Sequence, residues 1–217
     1  MKSEIRSTLM PIALILGAAV LLAGCKTTGV QRSEKAGASM KTVERDIKLA
    51  MTQMDATGSS LEELVKAGQP DVKKAFKKYS SNVDKMEKQG KRLFEHVDKM
   101  SAQGKEYFEE WRIQGDKYTN PRIQALSEQR RADLSAVFAG IPESSVGVKG
   151  AFKAYMTDIR EVRTYLTTDL TPKGIESIAP TSQKAVSDGV DLKDAIKPVL
   201  SAIGTAREEI AEGGAKE

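Results

Sequence analysis

Apolar and small side chains recur along most of this chain in alternating steps of four and three, a spacing that gathers them onto one stripe of a helix. The first run goes from Met40 and Val43 through Ile47, Ala50, Met54, Thr57, Leu61 and Leu64 to Gly68. The second starts at Val72, passes Phe76, Tyr79, Val83, Met86, Gly90, Leu93, Val97, Met100, Gly104, Tyr107 and Trp111, and ends at Tyr118 with polar Gln114 as its one interruption. Two shorter runs, Ile123 to Phe138 and Val148 to Leu166, precede a last one from Ile175 to Ile210. Gly68-Gln69-Pro70, Asn120-Pro121, Gly140-Ile141-Pro142 and Thr171-Pro172 separate them, combining helix-ending glycines with prolines suited to a first helical turn.

Each stripe must be covered, and short joins bring consecutive helices side by side in opposite directions. The pattern therefore predicts an all-α, elongated antiparallel bundle of four or five long, coiled-coil-like helices. An alternative register fuses the first two helices across Pro70, because the step from Gly68 to Val72 to Phe76 reads as a four-residue stutter. Pro180 and Pro198 predict breaks or kinks in the last helix.

The sharpest internal signal is a duplication in the second run. Asp84-Lys-Met-Glu-Lys-Gln-Gly-Lys-Arg-Leu-Phe-Glu95 returns fourteen residues later as Asp98-Lys-Met-Ser-Ala-Gln-Gly-Lys-Glu-Tyr-Phe-Glu109. Fourteen residues are two heptads, so each position returns to the same face about 21 Å further along. Both copies put a glycine on the seam, Gly90 and Gly104, at a cost of about 1 kcal/mol each against alanine. Two explanations are open: a notch filled by an aromatic ring of a neighbouring helix, or a groove in which Gly90, Gly104 and Trp111 meet a partner helix or a second copy.

Composition narrows the chemistry. Aromatic residues make up 5% and charged residues 29%, a mix favouring helix over strand. One cysteine and one histidine leave no soft-ligand set for a metal, and no Gly-x-Ser-x-Gly, Ser-x-x-Lys constellation or phosphate loop is present. The expectation is a protein that is not an enzyme and carries no metal or cofactor beyond a covalent lipid. His96 lacks a Cys or His companion and is expected to be packed or exposed. The formal charge of +4 is small for this many charged groups, but Lys73, Lys74, Lys77 and Lys78 form a basic stripe suited to an anionic ligand.

Residues 1–24 open with Met-Lys-Ser-Glu-Ile-Arg, continue through an apolar stretch from Leu9 to Ala23, and stop at Gly24 before Cys25, the chain's single cysteine. A mildly positive start and an apolar run too short to span a bilayer describe an export signal. Leu22-Ala23-Gly24-Cys25 resembles the lipobox of bacterial lipoproteins. The resemblance implies cleavage before Cys25 and acylation of that residue, with Lys26 in the following position favouring the outer membrane. The expected organisation is a signal peptide over 1–24, a flexible tether over 25–36, a helical bundle over 37–211 and a disordered tail over 212–217.

With its lipobox, helical mature part and repeated Gln-Gly-Lys and Phe-Glu elements, the chain resembles an uncharacterised family of all-helical bacterial envelope lipoproteins, a domain of unknown function. There is also a loose similarity to the major murein lipoprotein, whose C-terminal lysine is joined to peptidoglycan, although here Lys216 is followed by Glu217. The family resemblance carries no activity across; the lipobox and the long helical seams together lead to the expectation of a periplasm-facing, membrane-anchored tether or scaffold. Its expected partners are another envelope protein or itself, with peptidoglycan or lipopolysaccharide as the alternative and nucleic acid excluded for an exported chain.

Overall fold

In a computed structural model, which describes residues 28–214, five helices occur in the order α1 (Gly29–Val65), α2 (Val72–Gly115), α3 (Pro121–Ser144), α4 (Val148–Thr168) and α5 (Pro172–Gly214). The fold is an all-α bundle with four legs. α1 runs one way, α2 returns, α3 and α4 together form the third leg, and α5 is the fourth. Direction is fixed by pairs along each interface: Gln89 with Asp46 and Lys35 with Glu106 between α1 and α2, Tyr79 with Ile159 and Gly90 with Phe152 between α2 and α4, and Asp55 with Lys193 and Glu44 with Arg207 between α1 and α5.

The periodic runs largely become the core as the spacing predicts, but Tyr118, Ile123 and Leu126, which the pattern also places in its runs, are exposed. Met40, Val43, Ile47, Ala50, Met54, Thr57, Leu61 and Leu64 of α1 are all buried. So are Phe152, Tyr155, Ile159, Val162 and Leu166 of α4. Among the described residues every buried hydrophobic residue lies between Ala36 and Ile210, so the chain after Cys25 contains all of the described core.

The boundaries differ from expectation in several places. α1 begins at Gly29, inside the expected tether, because Thr28 and Gln31 form a reciprocal capping box and Ala36 is buried. α1 and α2 are not fused: Gly68 takes a left-handed φ of 74°, and Asp71, following Pro70, caps α2 by accepting from the Lys74 amide. α3 does not stop at Gly140-Ile141-Pro142. Buried Ile141 holds the helix on through Pro142, and the chain turns at Gly147, where φ is 81°.

α5 continues unbroken past Pro180 and Pro198. Buried Ile175, Ser182, Ala185, Ile196, Val199 and Ile203 flank the two missing amides, and tertiary packing outweighs the lost helix bonds. The same helix reaches Gly214, into the expected tail, while residues 215–217 lie outside the described part, as do the expected signal peptide and the lipobox residues Leu22, Ala23, Gly24 and Cys25. Among the described residues no helix is long and apolar enough to cross a membrane.

Candidate functional site

The duplicated segment of α2 builds two equivalent notches. A Cβ added at Gly90 would lie 2.7 Å from the ring of Phe152 on α4, and one at Gly104 would lie 2.9 Å from the ring of Phe138 on α3. Phe138 and Phe152 are themselves fourteen residues apart, matching the spacing of the glycines on the opposing leg. In each notch the incoming ring meets, edge to face, the phenylalanine four residues after the glycine: Phe94 with Phe152 at 5.3 Å and Phe108 with Phe138 at 5.2 Å between centroids. Gly90 and Gly104 are thus filled from within the chain. They do not form an open groove for a partner helix in this structure.

Between the two aromatic pairs the third leg is broken, opposite Val97, Met100 and Ser101 of α2. The result is an apolar cavity of about 420 Å³. Its floor is Leu93, Val97 and Met100 of α2, and it reaches the bundle centre at Val43, Ile47, Ile196, Val199 and Ile203. The α3–α4 junction, from Ser135 through Pro142 and Ser145 to Val148, forms the outer wall. Lys105 and Lys149 line it as well, both exposed and neither within ion-pair distance of a described carboxylate. Lys149 Nζ stands 5.4 Å from the centre of the Phe94 ring. Among the described residues no carboxylate and no imidazole lines the cavity.

The other expected site residues lie elsewhere. Trp111 is half-buried, donates from its indole nitrogen to Ser127 Oγ at 3.0 Å, and stacks edge to face on Tyr107. It ties α2 to α3. Lys73, Lys74, Lys77 and Lys78 are exposed on the first turns of α2, and Lys78 pairs with Glu63 at 2.7 Å. The basic stripe therefore exists, at the end of α2 remote from the cavity.

Sequence reasoning missed one polar constellation. Asp46 of α1 is fully buried, and its carboxylate is hydrogen-bonded to His96 Nδ1 and Arg45, with Arg92 Nε at 3.9 Å. Burial pushes the Asp46 carboxyl up, but the His96 and Arg45 hydrogen bonds and the charge of Arg92 outweigh it and hold it below the ordinary carboxylate range. Among the described residues no hydroxyl or thiol is hydrogen-bonded to the His96 ring, so the pair fastens α1 to α2 without a nucleophile. Fifty residues separate the two in sequence, and nothing local marks Asp46 as anything but a surface acid.

A family model for a protein of unknown function, DUF2959, matches residues 25–212. The chain belongs to this family. Among curated proteins and among solved structures nothing matches it. The match to DUF2959 takes in all five helices almost completely, so the notched α2, the broken third leg and the cavity between them all fall within the family's span. Among the described residues of this DUF2959 member, no group of three or more His, Cys, Asp or Glu side chains is placed to hold a metal ion.

Proposed function

We propose that the chain is an envelope lipoprotein, cut before Cys25, acylated on that residue and held at the periplasmic face of the outer membrane, where its bundle binds rather than catalyses. In this reading it carries or tethers another envelope component by holding a hydrophobic group of that component in the cavity beside Gly104. The observation that carries it is the cavity itself, which lies within the size range of small-molecule sites, has mostly apolar walls, and has lysines as its only charged lining among the described residues. That combination suits an amphiphile with a hydrocarbon chain and an anionic head. The lipobox motif and a family match beginning at Cys25 support the anchor. Permanent attachment follows from several acyl chains, each methylene adding about 0.8 kcal/mol.

Titration of the purified chain with a fluorescent long-chain fatty acid tests the binding role. Saturable binding is expected, weakened about tenfold by combining Lys105→Glu with Lys149→Glu, as loss of roughly 1.4 kcal/mol would give. Binding that is absent, or indifferent to the two charges, removes this reading. For the anchor, Cys25→Ala in cells should prevent processing and acylation of the chain, and mass spectrometry of the mature N-terminus checks this.

The second reading, a module for peptidoglycan or lipopolysaccharide, is supported by Lys73, Lys74 and Lys77, which are exposed and not ion-paired to any described carboxylate. Cosedimentation with purified cell wall that is lost when these lysines are neutralised would favour it over the cavity.

A further inference from the structure

The end of the bundle that carries the N-terminus of α1 also carries the turn from α2 to α3. Arg32 pairs with Glu110 at 3.5 Å and Lys35 with Glu106 at 3.0 Å, so the start of α1 lies beside the last turns of α2. Cys25 is three positions before Thr28, the residue that caps α1. An anchor on Cys25 would thus leave only Lys26 and Thr27 between the lipid and the capping residue, bringing this end of the bundle to the membrane.

The same end is apolar on its outside. Among the described residues nine large hydrophobic side chains are exposed, and five of them are here: Val30, Ile113, Tyr118, Ile123 and Leu126, the last 65% exposed. Concentration of these residues at one end of the bundle is not what a uniformly solvated surface requires. Its charges are sorted as well. Glu110 is paired with Arg32, and Asp116 and Glu109 are both paired with Arg112. Lys117 and Arg122 are exposed with no described carboxylate within ion-pair distance, so two cations are available here for anionic groups.

We propose that this end is a membrane-docking foot, in which Tyr118, Ile123 and Leu126, with Val30 and Ile113, seat among the headgroups and upper acyl chains of an anionic bilayer while Lys117 and Arg122 meet lipid phosphates. The foot fixes the bundle upright on the surface, with the Ala67 end pointing away. The positional argument rests on the proposed anchor, and the test supplies an artificial one so that the two are judged separately.

A chain beginning at Lys26 contains the whole core of the described residues and no cysteine. It is given an N-terminal histidine tag, coupled to vesicles of phosphatidylglycerol and phosphatidylcholine through a nickel-chelating lipid, and labelled with an environment-sensitive dye at Thr119→Cys or Ala67→Cys. The dye at 119 is expected to brighten several-fold and to be quenched by lipid-borne quencher, while the dye at 67 stays unchanged. Adding Ile123→Ser and Leu126→Ser, both at exposed positions, should abolish the signal at 119 with helicity retained. Equal responses at 119 and 67, or a response at 119 that survives the two serines, would overturn the foot. So would a concentration-dependent response without vesicles, which would identify the patch as a self-association surface. Mass spectrometry of the native N-terminus tests the acyl anchor independently of all these outcomes.

Discussion

Gly90 and Gly104 show how a residue disfavoured by local propensity is retained by its surroundings. Each gives up about 1 kcal/mol of helix stability, and each makes room for a phenylalanine ring at a distance no Cβ tolerates. Gly90→Ala and Gly104→Ala are therefore expected to lower stability, because overpacking costs about 1–3 kcal/mol and exceeds the propensity gained. Thermal denaturation reads the effect, and Phe152→Leu should relieve Gly90→Ala but not Gly104→Ala. Asp46 is the other residue whose role depends on its neighbours. Its carboxyl is held below the ordinary range in the folded state, so it contributes stability that is full above the unfolded-state value, about 3.9, and is lost as pH falls toward the folded one. Asp46→Asn should be less stable than the parent near neutral pH. The deficit should narrow below about pH 4, which chemical denaturation across pH would register.

At the scale of elements, the interface between α1 and α2 combines an apolar seam with a buried polar cluster. Asn82 donates to the Ala56 carbonyl and to Ser60 Oγ, both at 3.0 Å, and Gln53 donates to the Asn82 carbonyl at 3.2 Å. These bonds require one register, whereas an apolar stripe alone would tolerate a shift by a heptad. Asn82→Ala leaves Ser60 and the Ala56 carbonyl without this donor and should cost about 1–3 kcal/mol, measured as a lower denaturant midpoint. The third leg follows a different rule. Its break at Ser145–Gly147 keeps Phe138 and Phe152 in phase with the two notches, and the interruption in packing between them is the cavity.

Across the whole molecule the two functional proposals occupy different regions. The cavity lies midway along α2, where all four legs contribute walls, and the exposed apolar end lies where α1 begins and α2 turns into α3. An occupant of the cavity would bridge the broken leg to α2 and stabilise the fold by linkage. A fatty acid at one hundred times its dissociation constant should add about 2.7 kcal/mol, seen as a rise in Tm that the paired Lys105→Glu and Lys149→Glu variant reaches only at higher ligand concentration.

The sequence by itself determined the helical class, a count of four or five long helices and the identity of most core positions, because helix periodicity is a local property and every apolar stripe must find cover. It marked Gly90 and Gly104 as special for the same reason: two glycines at equivalent heptad positions carry a cost that local structure cannot repay. What occupies the notches, what neutralises Asp46, and the cavity between the aromatic pairs were decided only by tertiary structure. Phe138, Phe152 and His96 are tens of residues from the positions they meet, and pairing at such distances depends on how whole helices dock. The continuation of α3 through Pro142 and of α5 through Pro180 and Pro198 has the same origin, since buried residues near each proline outweigh a local preference to stop.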